Sequence, residues 1–125
     1  MNRIAVLFFI LAGSFAAMAQ AELSTKSKKA IELYTMADNY RVRRQFNEAI
    51  SLLNEAIEKD KNFVEAYHRL GLTYFAMNQY KKAIANYEKG LSLTTDLRRQ
   101  KIFWYDMGEP YLLEGEYEKA MKVTS

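Results

Sequence analysis

The sequence predicts an all-α solenoid of stacked helix–turn–helix hairpins, two complete and a partial third. One pattern occurs twice at a spacing of 34 residues, over residues 30–63 and 64–97, and a partial third copy begins near Lys101. Equivalent positions keep their residue type: Ala49 matches Ala83, Tyr40 matches Tyr74, Phe46 matches Tyr80, Ala37 matches Gly71, and Leu53 matches Tyr87. Within each copy the apolar residues recur three and four apart, the period of one helix face. Self-similarity at this period marks supersecondary units that bury their apolar faces only by stacking on one another.

The chain opens with a different kind of segment. Met1-Asn2-Arg3 is a short basic start, Ile4 to Ala12 is unbroken apolar sequence, and Ala17-Met18-Ala19 has the small-x-small form of a cleavage site. This is the pattern of a secretory signal peptide over residues 1–19, removed after Ala19, which predicts a periplasmic or secreted protein. The alternative is an uncleaved N-terminal membrane anchor, but the apolar stretch is short of the roughly 20 residues a spanning helix needs. The net charge is +3. Arg3 is the only charge before Gln20, so removal of the leader lowers the net charge by one. A balance this small argues against nucleic acid as the main partner. Cysteine is absent, so an exported chain of this length has packing between repeats, not disulfides, to hold it together.

Residues 20–29 read as a polar linker and the start of the first helix, with Ser24 or Ser27 available as its cap. Repeat one then shows Leu33, Met36, Ala37 and Tyr40 on one helix face, a break at Arg43-Arg44-Gln45, and a second stripe of Phe46, Ala49, Ile50, Leu53, Ala56 and Ile57. Asp60-Lys61-Asn62 closes it, with Asn62 expected to cap the next helix. Repeat two copies this with Tyr67, Leu70, Gly71 and Tyr74, a turn at Asn78-Gln79, then Tyr80, Ala83, Ile84, Tyr87, Gly90 and Leu91. Asp96 is a good cap for a following helix, because its carboxylate can accept from the free amides of the first turn.

In residues 98–125 the pattern returns 37 residues on, as Trp104, Met107, Gly108, Tyr111, Tyr117 and Ala120. The three extra residues fit best around Arg98-Arg99-Gln100, as a longer loop or an added helical turn. Pro110 falls inside the first helix of this copy. It lacks an N–H and crowds the carbonyl four residues back, so a kink or a late start is expected. The sequence reaches Ser125 about two turns into the second helix, leaving an end that could serve for self-association.

No catalytic or cofactor set emerges. His68 is the only histidine, no nucleophile-elbow sequence or glycine-rich phosphate loop is present, and no spacing resembles a metal-ligand motif. The expectation is therefore no enzyme activity, no cofactor, no metal and no small-molecule substrate. Of two basic clusters, Arg41, Arg43 and Arg44 complement the negative end of a helix dipole. Arg98, Arg99 and Lys101 have no such reason, and favour an acidic partner.

These residues resemble the tetratricopeptide repeat (TPR). Its pattern of a large residue, Leu-Gly, Tyr, Ala, an aromatic and a small residue is met by Tyr67, Leu70-Gly71, Tyr74, Tyr80, Ala83, Tyr87 and Gly90. The resemblance implies a right-handed solenoid whose inner groove, lined by the first helix of each hairpin, binds a protein or peptide segment. Carried onto this sequence, the groove positions are Tyr34, Asp38 and Arg41 in repeat one, His68, Leu72 and Phe75 in repeat two, and Tyr105, Glu109 and Leu112 in repeat three. Tyr34, His68, Phe75 and Tyr105 are expected to carry affinity and little of the fold. The Lys and Asn positions of the family's carboxylate clamp are not met. Two functions follow as expectations: an exported protein-binding scaffold, or a structural subunit of an envelope complex assembled through the third repeat.

Overall fold

The computed structural model describes residues 23–124; the expected leader and its cleavage site lie outside them. The described residues form six helices and no strand: α1 (Lys28–Val42), α2 (Phe46–Lys59), α3 (Val64–Ala76), α4 (Tyr80–Ser92), α5 (Leu97–Leu113) and α6 (Tyr117–Thr124). They pair in chain order as three hairpins, α1–α2, α3–α4 and α5–α6, with α2 packed on α3 and α4 on α5.

The same turn closes all three hairpins. The amides of Gln45, Gln79 and Glu116 donate to the carbonyls of Tyr40, Tyr74 and Tyr111 at 2.9, 2.9 and 2.8 Å. The preceding residues, Arg44, Asn78 and Gly115, have φ of 62°, 61° and 79°. This 6→1 bond around a left-handed residue satisfies carbonyls that a helix end otherwise leaves open. Asn and Gly adopt that conformation readily, whereas Arg44 carries a cost of about 1–2 kcal/mol.

Two apolar clusters fill the stack. The first joins Leu33, Tyr34, Ala37, Leu53 and Ala56 to Phe63, Ala66 and Leu70 of the next hairpin. The second joins Ala83, Ile84 and Tyr87 to Phe103, Met107, Tyr111 and Ala120. Leu70 and Met107 are buried, but Met36 at the equivalent place is 40% exposed. The equivalent Leu70 packs into the cluster of the preceding hairpin, and α1 has no preceding hairpin among the described residues. Trp104 is likewise 43% exposed. Its counterpart Tyr67 is half-buried, with its Cβ close to Gly90.

Gly71 is needed for a close approach: a Cβ there would lie 2.3 Å from the ring of Tyr87. At Gly90 a Cβ would lie 2.5 Å from the ring of Phe103, which enters from the next hairpin.

The three inserted residues form helix. The loops before α3 and α5 are equal in length, and α5 has 17 residues against 13 in α3. Pro110 does not delay its start: α5 runs from Leu97 through the buried Pro110 to Leu113. Asp96 caps it, accepting from the Arg98 amide at 2.9 Å. Ser27 caps α1 through Ala30 N–H at 3.1 Å. Asn62 does not cap α3; its amide donates to Asp60 Oδ1 at 3.0 Å, and Phe63 occupies the cap position.

Candidate functional site

The first helices α1, α3 and α5 present one face, and a half-buried polar ladder crosses it. Arg41 Nε donates to Asp38 Oδ1 at 3.3 Å, and Arg69 Nε donates to the same carboxylate at 3.0 Å from Oδ1 and 3.2 Å from Oδ2. Arg69 Nη1 lies 3.0 Å from His68 Nδ1, and His68 Nε2 lies 2.6 Å from Asp106 Oδ2. A guanidinium can only donate, so Nδ1 accepts and the proton sits on Nε2, directed at Asp106. The His68 ring is wedged between Tyr87 and Phe103, with centroids 5.8 and 5.4 Å away. Both ring nitrogens are thus spent on protein groups, and the residue joins hairpins two and three.

A second set of polar bonds lies at the N-terminal ends of α3 and α5. Residues 23–27, on the expected linker, lie over the start of α3. Ser24 N–H donates to both carboxylate oxygens of Glu65 at 3.1 and 3.2 Å, and its hydroxyl donates to Glu65 Oε2 at 2.6 Å. The same hydroxyl oxygen accepts from Val64 N–H at 2.9 Å. Ser24 therefore satisfies the first turn of α3 from 40 residues away, the task assigned from the sequence to Asn62. Arg99 Nε donates to Glu65 Oε1 at 3.1 Å, and Arg99 Nη1 lies 3.5 Å from Asp96 Oδ2. The backbone bond from Arg98 holds the Asp96 carboxyl below its ordinary pKa.

Between these two sets opens a cleft of about 390 Å³. Leu23, Tyr34, Val64, Ile102 and Phe103 supply its apolar walls, and Glu65, His68, Arg69, Asp96, Arg98 and Arg99 its polar lining. Tyr34 is nearly buried, packed 5.1 Å from the Phe63 ring with the Arg69 guanidinium 5.3 Å over its face. Burial pushes its phenol up to about 12, against the opposing pull of Arg69. Arg98 is the exposed member of the rim, with its guanidinium 3.6 Å from Asp96. Among the described residues no group of three or more His, Asp or Glu is placed to hold a metal.

The groove positions read from the sequence divide. Tyr34 and His68 line the cleft, and Asp38 and Arg41 belong to the ladder. Leu72 and Phe75 are half-buried against the second apolar cluster, Phe75 with its ring 5.5 Å from Tyr80. Tyr34 and Phe75 thus pack within the fold and do not stand free. Tyr105, Glu109 and Leu112 are exposed along α5. Sequence reasoning missed Leu23, Ser24, Glu65 and Ile102. One signal pointed there: Arg98 and Arg99 had no helix-dipole reason to stand at a helix start, and Glu65 and Asp96 supply one.

With this geometry in view, residues 64–93 match the tetratricopeptide repeat profile and residues 37–78 a second TPR repeat profile. Residues 37–93 thus carry the tetratricopeptide repeat pattern. Anaphase-promoting complex subunit 3 of Schizosaccharomyces pombe is 27% identical over 85 residues, which are 68% of this chain and 12% of that protein. The Caenorhabditis elegans cell division cycle protein 27 homolog is 30% identical over 91 residues, 72% of this chain and 11% of its own length. The chain thus spans about a tenth of the curated relatives it matches. Among solved structures, MamA superposes with a TM-score of 0.70 at 27% identity, over 76% of this chain and 54% of that one. The first TPR of Spaghetti (RPAP3), bound to an HSP90 peptide, superposes with a TM-score of 0.72 at 18% identity, over 79% of this chain and 76% of that one. At that identity the likeness concerns the fold alone. No helix among the described residues is long and apolar enough to cross a membrane.

Proposed function

We propose that this chain is an exported TPR scaffold that binds a protein or peptide segment on the face of α1, α3 and α5, without catalysis. The observation that carries this reading is the cleft. Its walls are apolar, its depth is set by buried rings, and Arg98 is exposed at its rim. Such a site suits a large apolar side chain flanked by a carboxylate, an anchor in a dry pocket beside a charge-assisted contact. Export is supported by the basic start, the apolar run and the Ala17-Met18-Ala19 site.

A random-peptide display selection against the chain tests the binding. Binders should carry a large apolar residue next to Asp or Glu. Arg98→Glu and Ile102→Lys should each weaken them by about tenfold or more, with an unchanged helical circular dichroism spectrum. Binders insensitive to both substitutions would remove the cleft from the function. Intact mass of chain recovered from the envelope fraction tests export: a mass starting at Gln20 is expected, and retention of residues 1–19 would place the chain at the membrane.

A further inference from the structure

The charges around the cleft fall into two balanced sets. The ladder sets Arg41 and Arg69 against Asp38 and Asp106. The rim sets Arg98 and Arg99 against Glu65 and Asp96. These charges cancel, so one proton on His68 gives the whole set a positive sign. Histidine is the side chain whose charge changes between about pH 5 and 8, and His68 is the only one in the sequence. Arg69 faces it from its own helix, Asp106 from α5 and the Tyr87 phenol from α4, while Asp38 and Arg41 of α1 reach it through Arg69. Burial raises the phenols of Tyr34 and Tyr87 above the ordinary tyrosine pKa, so both stay neutral in that range.

The two ring nitrogens answer differently to that proton. Nε2 already donates to Asp106 at 2.6 Å, and this bond gains strength when the ring is charged. Nδ1 accepts from Arg69 Nη1 at 3.0 Å. An imidazolium has no acceptor, so a proton on Nδ1 sets donor against donor and cation against cation. Arg69 has a second hold, its Nε lying 3.0 and 3.2 Å from the two Asp38 oxygens. Its Nη1 can therefore swing away from the ring without parting the ladder. Both side chains line the cleft, so the released Nη1 and the new Nδ1–H become two donors in its wall. We infer that His68 makes the cleft a proton-linked receptor, in which an incoming carboxylate is taken by the imidazolium and the Arg69 guanidinium together. The inference rests on the cleft reading above and adds its regulation: acidic segments are held more tightly as the pH falls from about 8 to about 6.

Two small probes test it by NMR. One is N-acetyl-phenylalanyl-aspartyl amide, whose side-chain carboxylate is its only charge, and the other is the matching asparaginyl amide, which has none. Each is titrated into the isotope-labelled full chain at about pH 8 and about pH 6, where the aspartyl group stays ionised. The amides of Arg98 and Ile102 report the cleft. The aspartyl probe should bind about fivefold more tightly at the lower pH, and the asparaginyl probe equally at both. Linkage is reciprocal, so the bound aspartyl probe should move the titration of the His68 ring signals to higher pH. In the free chain those signals should pass from the Nε2–H tautomer to the imidazolium, with the Arg69 side-chain signals moving in step. His68→Gln should hold the aspartyl probe equally at both pH values. Aspartyl binding indifferent to pH would overturn the inference and leave the cleft reading standing, as would a protonation of His68 that leaves the Arg69 signals still. No binding of either probe at either pH would remove both.

Discussion

The first hairpin closes on Ala37 and Leu53, and the second, at the same two positions, on Gly71 and Tyr87. Volume has moved across the crossing, from the small side chain to the large one. The same exchange recurs at the joint between hairpins, where Ala56 and Ala66 of one junction become Gly90 and Phe103 at the next. The two regions share a backbone plan but fill it differently. At these four positions the first is aliphatic, with small residues on both helices, and the second seats the rings of Tyr87 and Phe103 on the bare backbone of Gly71 and Gly90. Equal spacing between helices can be reached by either solution, but their halves cannot be mixed, because cores are close-packed.

The largest expected effect breaks this pairing directly. Gly71→Ala should cost about 3 kcal/mol, the upper part of the range for overpacking, because ring atoms of a buried tyrosine sit within 2.7 Å of the new methyl. Urea denaturation measures it. A double-mutant cycle with Tyr87→Leu, which rebuilds the pair of the first hairpin, should return a favourable coupling of about 1–2 kcal/mol. Simple additivity would end the volume-exchange explanation.

A smaller effect compares how the two junctions are tied at their polar ends. Glu65→Ala should cost about 2 kcal/mol, since charge-assisted bonds from Ser24 and Arg99 lose their shared acceptor. Amide exchange at Val64 should speed up as Ser24 loosens. An unaltered Val64 amide would show that residues 23–27 hold to α3 without Glu65.

The smallest effect sets the tyrosines of the two regions side by side in alkali. Burial raises the folded-state pKa of Tyr34 to about 12, and raises Tyr87 further, with Asp106 adding to the shift. A raised phenol contributes stability that is fully present below its unfolded pKa of about 10 and is lost as the pH climbs through the folded value. Tyr34→Phe should therefore flatten the fall in melting temperature between about pH 10 and 12, leaving the part due to Tyr87 and to Tyr111, whose phenol burial and its bond to Glu88 also raise. An unchanged slope would show that Tyr34 ionises as if exposed.

The repeat register was legible because packing stripes are local. Leu70-Gly71, Tyr74 and Ala83 each answer to residues a few positions away on the same or the adjoining helix, and period alone reveals them. The insertion before Trp104 was legible for the same reason, but as either a longer loop or an added turn, and the Asp96 cap makes it a turn of α5. The candidate site was legible only in part. Tyr34 and His68 follow from the helix face, but whether a groove position is open or covered depends on what the next hairpin places over it. Arg69 covers Tyr34, and Phe103 and Asp106 cover His68, which no property of Tyr34 or His68 foretells. Leu23 and Ser24 were harder still, because their partners Val64 and Glu65 lie about 40 residues downstream and no periodicity links them.

Glu65 has a consequence for how the stack comes apart. In a one-dimensional array each unit touches only its neighbours, so the ends can fray independently of one another. Here one carboxylate grips Ser24, 41 residues before it, and Arg99, 34 residues after it. A strap that precedes hairpin one and a helix that opens hairpin three are thereby fastened to the first turn of hairpin two. Loss of the Ser24 strap therefore weakens the hold on Arg99, and loss of the Arg99 bond the hold on Ser24, which ties the opening of the three hairpins to one another.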